Sequence, residues 1–243
     1  MAFITKFCWI VLLEIPSLLG NKKNEAIQME LYMDPITVNC RKVLAGMKLI
    51  GAPYSITKVD YFQGEQKSDA YLKINPNAKV PAMKDGDLVI WESNAILQYA
   101  ADKLGSAQAY PTDLKTRADI NQWLFWESNA WFPSCYCYLV ENCVKPLLGD
   151  VTDQSVLDAE APNFNKLASI LDERLATSRF ISADHPTIAD VVIAAPMHLH
   201  AWQQLPLDDH KNLKRWMLEH IETQSWWIET HVEEGFVLPA NVA

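Results

Sequence analysis

The sequence predicts an α/β domain at the N-terminal end of the chain, followed by an all-α helical bundle domain. From Met29 onward, short apolar runs typical of strands alternate with segments of helical periodicity, which indicates an α/β fold. Residues 113–243 are helical in period and dense in aromatic residues, and no strand-like alternation interrupts them. The 243 residues are enough for two domains of ordinary size.

The first domain is predicted over residues 29–106. It begins with a strand at Met29–Met33 and a helix that ends at Gly51. The apolar face of that helix consists of Cys40, Val43, Leu44 and Met47. Strands at Ser55–Val59, Val80–Met83 and Leu88–Ile90 follow, and then a helix that begins at Ser93. The last two strands are joined through Asp85-Gly86, a hairpin signal. This order of strand, helix, strand, hairpin and helix is the thioredoxin-like layout.

Residues 107–112 are interpreted as a linker, and residues 113–243 as the helical domain. Within it, Thr187 precedes an apolar run and Asp190 lies three residues later, a variant of the capping box. Asp190 has two interpretations, a catalytic carboxylate or a structural cap. We favour the cap because both residue types stand where a helix start needs them.

Composition excludes several classes of function. The net charge of -9 and the absence of a basic run exclude a nucleic-acid partner. Five cysteines, an odd number, indicate reduced thiols and a cytoplasmic location. The pairs Cys135-x-Cys137 and His198-x-His200 do not converge on helices, so no metal is expected.

Residues 1–28 contain an apolar stretch that is interrupted by Glu14 and Pro16. It is too short to span a bilayer, and no cleavage pattern follows it. We expect an accessory extension and no membrane partner.

The most informative motif is Val80-Pro81, which opens a strand about ten residues before the helix start at Glu92-Ser93. If the Val80–Pro81 bond is cis, Val80 presents its backbone N–H and C=O to an extended peptide. The free N–H groups of the helix start attract anions. Together these features predict a receptor for a small anionic peptide.

The motif resembles the glutathione site of the cytosolic glutathione transferases, and the similarity runs from about Met29 to near the C-terminus. The resemblance implies glutathione as co-substrate, a small apolar electrophile as second substrate, and a homodimer. It also implies which residues hold glutathione. Those expected at its glycine end and backbone are Gln66, Lys67, Lys79, Val80 and Pro81, and those expected at its γ-glutamyl end are Glu92 and Ser93.

The start of the first helix reads Thr37-x-x-Cys40, where thioredoxin-like redox proteins carry C-x-x-C. A dithiol mechanism is therefore excluded. The resemblance places Thr37 at the active-site serine of the serine-type classes (phi, theta and related bacterial classes) and Asn39 at an asparagine of bacterial Thr-x-Asn relatives. It departs from the tyrosine-dependent classes, since Tyr32 is expected to point into the domain, and from the beta class, which has cysteine at the position of Val38.

Each of these residues also has a structural interpretation. Thr37 is suited to capping the helix, Asn39 to facing solvent, and Cys40 to lying in the core. The aromatic segment has two interpretations as well, as bundle core or as a wall of the second-substrate pocket. The pocket prediction names Trp126, Ala130 and Phe132.

We therefore expect a glutathione transferase that activates the glutathione thiolate for attack on an apolar electrophile. One alternative is a glutathione-dependent disulfide-bond reductase, peroxidase or ether-cleaving lyase on the same fold. The other is a non-catalytic, ligand-binding protein.

Overall fold

The computed structural model describes residues 29–230. Its first part is a four-stranded sheet with strand order β2-β1-β3-β4. The strands are β1 Met29–Met33, β2 Tyr54–Lys58, β3 Ala82–Asp85 and β4 Leu88–Trp91. β1 pairs with β2 in parallel, and the β3–β4 hairpin is antiparallel to β1. This is the predicted thioredoxin-like domain.

This part of the chain has three α-helices, α1 Val38–Ile50, α2 Asp69–Leu72 and α3 Ser93–Leu104, and a short 3-10 helix at Glu65–Lys67. α1 ends at Gly51, whose left-handed backbone (φ 75°) suits glycine. α1 and α3 pack closely together, and a Cβ at Gly46 would overlap the side chain of Leu97. The small residue therefore sets the spacing between the two helices whose starts form the site described below.

The described part of the second half contains helices and no strand. Its α-helices are α4 Leu114–Trp126, α5 Phe132–Leu139, α6 Lys145–Leu147, α7 Gln154–Thr177, α8 Ile188–Ala194, α9 His200–Gln203, α10 Lys211–Arg215 and α11 Ser225–Ile228. π-helical segments at Glu127–Trp131 and Val140–Val144 join α4, α5 and α6 into one continuous helix. The wider π turns precede Pro133 and Pro146, which have no N–H to donate to a regular helix.

The helical core confirms the structural interpretation of Asp190. Thr187 and Asp190 are fully buried and form a reciprocal capping box at the start of α8. The Asp190 carboxylate also accepts the backbone N–H of Ile181 at 2.8 Å. All of these contacts lie inside the bundle, so Asp190 is a structural residue.

Two expectations are corrected. β3 begins at Ala82, not at Val80, since Pro81 cannot donate to a ladder. Tyr32 does not point into the buried face of the sheet: Met29, Leu31 and Met33 occupy that face, and strand alternation turns Tyr32 to the other one. There its hydroxyl donates to Glu30 at 2.8 Å.

Residues 1–28, predicted to be an accessory extension, lie outside the described residues. Between α3 and α4 the chain runs without helix or strand through Gly105 to Asp113, a stretch that contains the predicted linker at 107–112. The domain limits themselves remain a prediction. Within residues 29–230, no helix has the length and apolar character that crossing a membrane requires.

Candidate functional site

Thr37 stands immediately before α1 in an extended conformation. Its hydroxyl donates to the backbone carbonyl of Asp34 at 3.1 Å, and its side chain makes no hydrogen bond to the free N–H groups of the helix. Thr37 therefore occupies the N-cap position of α1, but its hydroxyl does not cap the helix. Thr37 is half-buried, and its side chain also contacts the thiol of Cys40.

The loop before Thr37 is fixed by the carboxylate of Asp34. That carboxylate accepts the backbone N–H groups of Ile36 at 3.3 Å and of Tyr61 at 3.1 Å. Asp34 is buried. The start of α1 is thereby tied to the loop that follows β2.

Asn39, two residues after Thr37, is half-buried and meets the start of α3. Its Oδ1 accepts a hydrogen bond from the hydroxyl of Ser93 at 3.4 Å. Asn39 therefore contacts Ser93 while remaining partly exposed to solvent. The contact joins a residue predicted at the thiol to a residue predicted at the γ-glutamyl end.

Cys40 lies in the core. It is fully buried, and burial raises the pKa of its thiol to about 12. A thiol with so high a pKa is not a nucleophile at neutral pH. The prediction that Cys40 is a structural thiol is confirmed.

The peptide bond between Val80 and Pro81 is cis, and both side chains are buried. The preceding carbonyl, that of Lys79, accepts the Tyr71 hydroxyl and the Asn75 amide, each at 2.7 Å. These contacts hold the backbone on the N-terminal side of the cis bond in one place.

The three polar residues predicted around this segment differ in exposure. The side chains of Lys67 and Lys79 are exposed to solvent, and Gln66 is buried. The Oε1 atom of Gln66 has no hydrogen-bond partner in the described structure. An unpaired buried amide oxygen is uncommon in proteins, and it marks this short helical turn as unusual.

At the other end of the site, Glu92 precedes α3 with φ 76° and ψ 112°, and its side chain is exposed. Ser93, the first residue of α3, is buried. Glu92 makes no side-chain capping bond to the helix. The first N–H groups of α3 are thus not capped by the residue that stands before them.

No prediction from the sequence covers the polar group that lies behind Ser93. Lys42, on α1, is 2% exposed and forms an ion pair of 2.8 Å with Glu127, which is fully buried. The same ammonium donates to Ser93 Oγ at 3.2 Å and to Asn94 Oδ1 at 3.3 Å. A usable signal was present: Glu127 is a lone carboxylate among the aromatic residues of its helix, and a buried charge needs a partner.

Asn94 extends this polar group to the long helix of the second domain. Its Nδ2 donates to Leu124 O at 2.9 Å, to Glu127 Oε2 at 3.1 Å and to Ser128 Oγ at 3.0 Å. The starts of α1 and α3 are therefore held against the helical domain by buried or half-buried polar contacts.

The predicted pocket residues divide into two groups. Trp126 and Ala130 pack against the large core, and Trp126 has its ring 5.4 Å from Trp123 and 6.1 Å from Trp131. These are the contacts of the bundle-core interpretation. Phe132 instead packs against a separate small cluster of buried residues, namely Val38, Leu139, Cys143 and Ala195.

The small cluster reaches α1, because Val38 lies between Thr37 and Asn39 in the sequence. The ring of Phe132 stacks on that of Tyr136 at 5.3 Å, and Tyr136 is exposed at its outer side. The ammonium of Lys42 lies 5.6 Å from the Phe132 ring centre. An apolar wall therefore stands next to the start of α1.

For metal binding, residues 29–230 contain no group of three or more His, Cys, Asp or Glu side chains with suitable placement. Cys135 is buried in the core and Cys137 is half-buried. The ring of His198 hydrogen-bonds to the carbonyl of Ala195 at 3.0 Å, and that of His200 to Glu222 at 3.2 Å.

Comparison with known proteins agrees with this architecture. The family described as glutathione S-transferase, N-terminal domain, matches residues 28–102, and that described as glutathione S-transferase, C-terminal domain, matches residues 136–223. A probable glutathione S-transferase of Oryza sativa subsp. japonica is 30% identical over 77% of this chain and 89% of its own length. Glutathione S-transferase theta-1 of Homo sapiens is 33% identical over 70% of this chain and 72% of its own length.

Solved structures give the same result. A glutathione transferase of Populus trichocarpa superimposes with a TM-score of 0.76 at 27% identity, over 83% of this chain and 96% of the other. A glutathione S-transferase bound to lactoylglutathione superimposes with a TM-score of 0.75 at 26% identity, over 83% and 97% of the two chains. Fold, matched segments and relatives lead to one conclusion: the chain belongs to the glutathione S-transferase family.

Proposed function

We propose that this protein binds glutathione across the starts of α1 and α3 and activates its thiol for attack on a small apolar electrophile. The observation that carries the proposal is the contact between Asn39 and Ser93, at 3.4 Å. It joins Asn39, which is expected at the thiol, to Ser93, which is expected at the γ-glutamyl group. Glutathione carries both groups in one flexible tripeptide.

The charges around the site suit a peptide that carries an ammonium and a carboxylate at one end and only a carboxylate at the other. At the γ-glutamyl end, Glu92 offers a carboxylate to the ammonium, and Ser93 with the N–H groups of α3 offers donors to the carboxylate. At the glycine end, Lys67 and Lys79 are exposed cations. Gln66 and the backbone beside Val80-Pro81 complete the proposed contacts at that end and along the peptide.

Activation of the thiol is assigned to Thr37 and Asn39. A free thiol has a pKa of about 8.5, so only a few per cent is ionised at neutral pH. A hydrogen bond from the Thr37 hydroxyl, together with the positive end of α1, favours the thiolate. To make that bond the hydroxyl turns away from the carbonyl of Asp34 and loses its hydrogen bond to that neutral acceptor.

The electrophile is assigned to the space beside Phe132. Its ring, stacked on Tyr136 and adjoining Val38, presents apolar surface next to the start of α1. Catalysis then consists of holding the thiolate and the electrophile in attacking geometry. The pocket assignment of Trp126 and Ala130 has less support, because both pack against the large core.

We further propose a cytoplasmic homodimer with a role in detoxification. β4 is an edge strand, and three of its four side chains, Leu88, Val89 and Trp91, are exposed. An exposed apolar edge of this kind is an expected contact for a second copy. A sedimentation mass near twice 27.6 kDa supports the dimer, and a mass near 27.6 kDa contradicts it.

The function is tested by titrating the protein with glutathione in a calorimeter and then assaying an aryl halide, an organic peroxide and a mixed disulfide as second substrates. We expect binding in the micromolar-to-millimolar range usual for substrates and thioether formation with the aryl halide. Turnover of the peroxide or the disulfide alone would favour a peroxidase or a reductase. Binding without any turnover would leave a ligand-binding protein, and absence of binding would refute the proposal.

A further inference from the structure

We propose that Lys42, held by Glu127, acts as a positioning residue that makes the Ser93 hydroxyl a donor toward the γ-glutamyl carboxylate. The inference rests on the proposed function, because it specifies how the same site recognises one end of glutathione. Lys42 itself lies behind Ser93 and is almost completely buried.

Burial is the first argument. An ion pair with both side chains out of contact with water gains little stability over apolar residues of the same size, because each charge loses its hydration. Lys42 and Glu127 nevertheless occupy the interface between α1 and the long helix, 2% and 0% exposed. A role other than stabilisation therefore explains the pair better.

The direction of the hydrogen bonds is the second argument. An ammonium group has three donors and no acceptor, and the Lys42 ammonium uses them on Glu127, Ser93 and Asn94. Ser93 Oγ accordingly accepts from Lys42, and its own hydrogen must point to another acceptor. The hydroxyl is thereby fixed as a donor on the side away from Lys42.

The hydrogen bond that the Ser93 hydroxyl donates in this structure is long. It reaches Asn39 Oδ1 at 3.4 Å, well beyond the usual distance of about 2.7–2.8 Å for a hydroxyl donating to oxygen. A carboxylate, which only accepts, is a stronger partner than a neutral amide oxygen. The γ-glutamyl carboxylate is the group of the proposed ligand that fits this position.

The orientation of the pair is the third argument. The Lys42 ammonium contacts Ser93 Oγ directly, whereas the hydrogen bonds of the Glu127 carboxylate in residues 29–230 go to Lys42, Asn94 and Ser128 and not to Ser93. Asn94 keeps this arrangement by accepting from Lys42 and donating to Glu127 Oε2. The buried dipole therefore presents its positive end to the anion site, where low dielectric strengthens it.

The test compares glutathione with an analogue that lacks only the α-carboxylate of the γ-glutamyl residue, by calorimetry. The main variant is the double replacement Lys42→Met/Glu127→Gln, which removes the cation without leaving an unpaired buried carboxylate. Ser93→Ala is the second variant, and it leaves the ion pair in place. Lys145→Met is the control, since it removes a cation paired with Glu141 at 2.7 Å on the same long helix, away from the proposed contacts.

We expect wild-type protein to prefer glutathione to the analogue by about tenfold or more, the value of a hydrogen bond to a charged group. The double replacement and Ser93→Ala should each reduce this preference, weakening glutathione about tenfold and leaving the analogue within about twofold, while the N–H groups of α3 retain the remainder. Combining them should add little, because they act through one hydroxyl. Lys145→Met should leave both affinities unchanged.

A merely structural role for Lys42 predicts equal weakening of both ligands, and that result would overturn the inference. Unchanged preference in Ser93→Ala would overturn it as well, even if the double replacement did not fold. Wild-type protein that binds both ligands equally would refute the inference and leave the proposed function standing. Wild-type protein that binds neither would refute the proposed function itself.

Discussion

Thr37 and Thr187 occupy the same position in the two domains, the residue immediately before a helix. The Thr187 side chain is fully buried, accepts from Ala189 N at 3.2 Å and exchanges hydrogen bonds with Asp190. Thr37 is half-buried and makes no capping bond; its hydroxyl touches the carbonyl of Asp34. The Thr187 hydroxyl takes part in a buried cap, whereas the Thr37 hydroxyl contacts only the Asp34 carbonyl and the Cys40 thiol among the described contacts and can turn toward a ligand.

The largest expected effect is on activity. Thr37→Ala removes the donor proposed for the glutathione thiolate and should lower turnover at neutral pH by about 10- to 1000-fold, with glutathione affinity nearly unchanged. The pH at which the ultraviolet absorbance of the bound thiolate appears should rise. Steady-state kinetics and a spectrophotometric titration measure both.

Thr37→Ser is the matched variant, because it keeps the hydroxyl and should retain most of the turnover. The free energy of unfolding should change by less than about 0.5 kcal/mol in Thr37→Ala, since no capping bond is lost. A Thr37→Ala protein with normal turnover and a lower melting temperature would reverse the comparison between the two threonines.

Asp190→Ala should have the opposite profile. The buried carboxylate accepts the backbone N–H groups of Ile181 at 2.8 Å and Thr187 at 2.9 Å. Without it these donors are left unpaired, so the free energy of unfolding should fall by about 3 kcal/mol. Denaturant unfolding measures this loss.

Turnover per folded Asp190→Ala molecule should equal that of wild-type protein, because the contacts of Asp190 lie inside the bundle. Asp190→Asn, which retains one acceptor oxygen, should lose less stability than Asp190→Ala. A specific loss of turnover in well-folded Asp190→Ala would restore the catalytic interpretation that the capping box displaced.

Asp190 also predicts a pH dependence of stability. Burial raises the pKa of its carboxyl from the usual 3.8 to about 6 in the folded protein. Between these values the folded protein retains a proton that the unfolded chain has released, so stability falls as pH rises through this window. A shift of about two pKa units corresponds to a loss of about 3 kcal/mol in the free energy of unfolding across this window.

The measurement is the free energy of unfolding of wild-type protein minus that of Asp190→Asn at several pH values from about 4 to 6. The amide does not titrate, so the difference isolates the carboxyl and should decrease with rising pH. A flat difference would show that the hydrogen bonds to the carboxylate balance its burial, and an increasing one that they outweigh it; either would contradict the prediction.

The contrast between the two helix starts also separates what the sequence predicts from what it does not. Local signals located β1, the end of α1 at Gly51, the start of α3 at Ser93 and the cap at Asp190, because each depends on residues within one turn or one strand. The pair Lys42–Glu127 spans 85 positions, and no local pattern joins residues that far apart. For the same reason periodicity did not show that Trp126 faces the core while Phe132 adjoins α1.

The smallest expected effect belongs to Asn39. Its amide is neutral, and its Oδ1 is already turned toward Ser93 at 3.4 Å, which leaves its Nδ2 hydrogens as the donors for a thiolate. Asn39→Ala should lower turnover by about three- to tenfold, since the amide adds a second donor to a thiolate that Thr37 and the positive end of α1 already stabilise. The measurement is turnover beside that of Thr37→Ala, with the pH titration of the bound thiolate as second readout. Equal losses in the two variants would show that hydroxyl and amide share the thiolate as one unit. A normal Thr37→Ala enzyme with an inactive Asn39→Ala enzyme would transfer the catalytic assignment to the amide, and the unused capping position of Thr37 would then need another explanation.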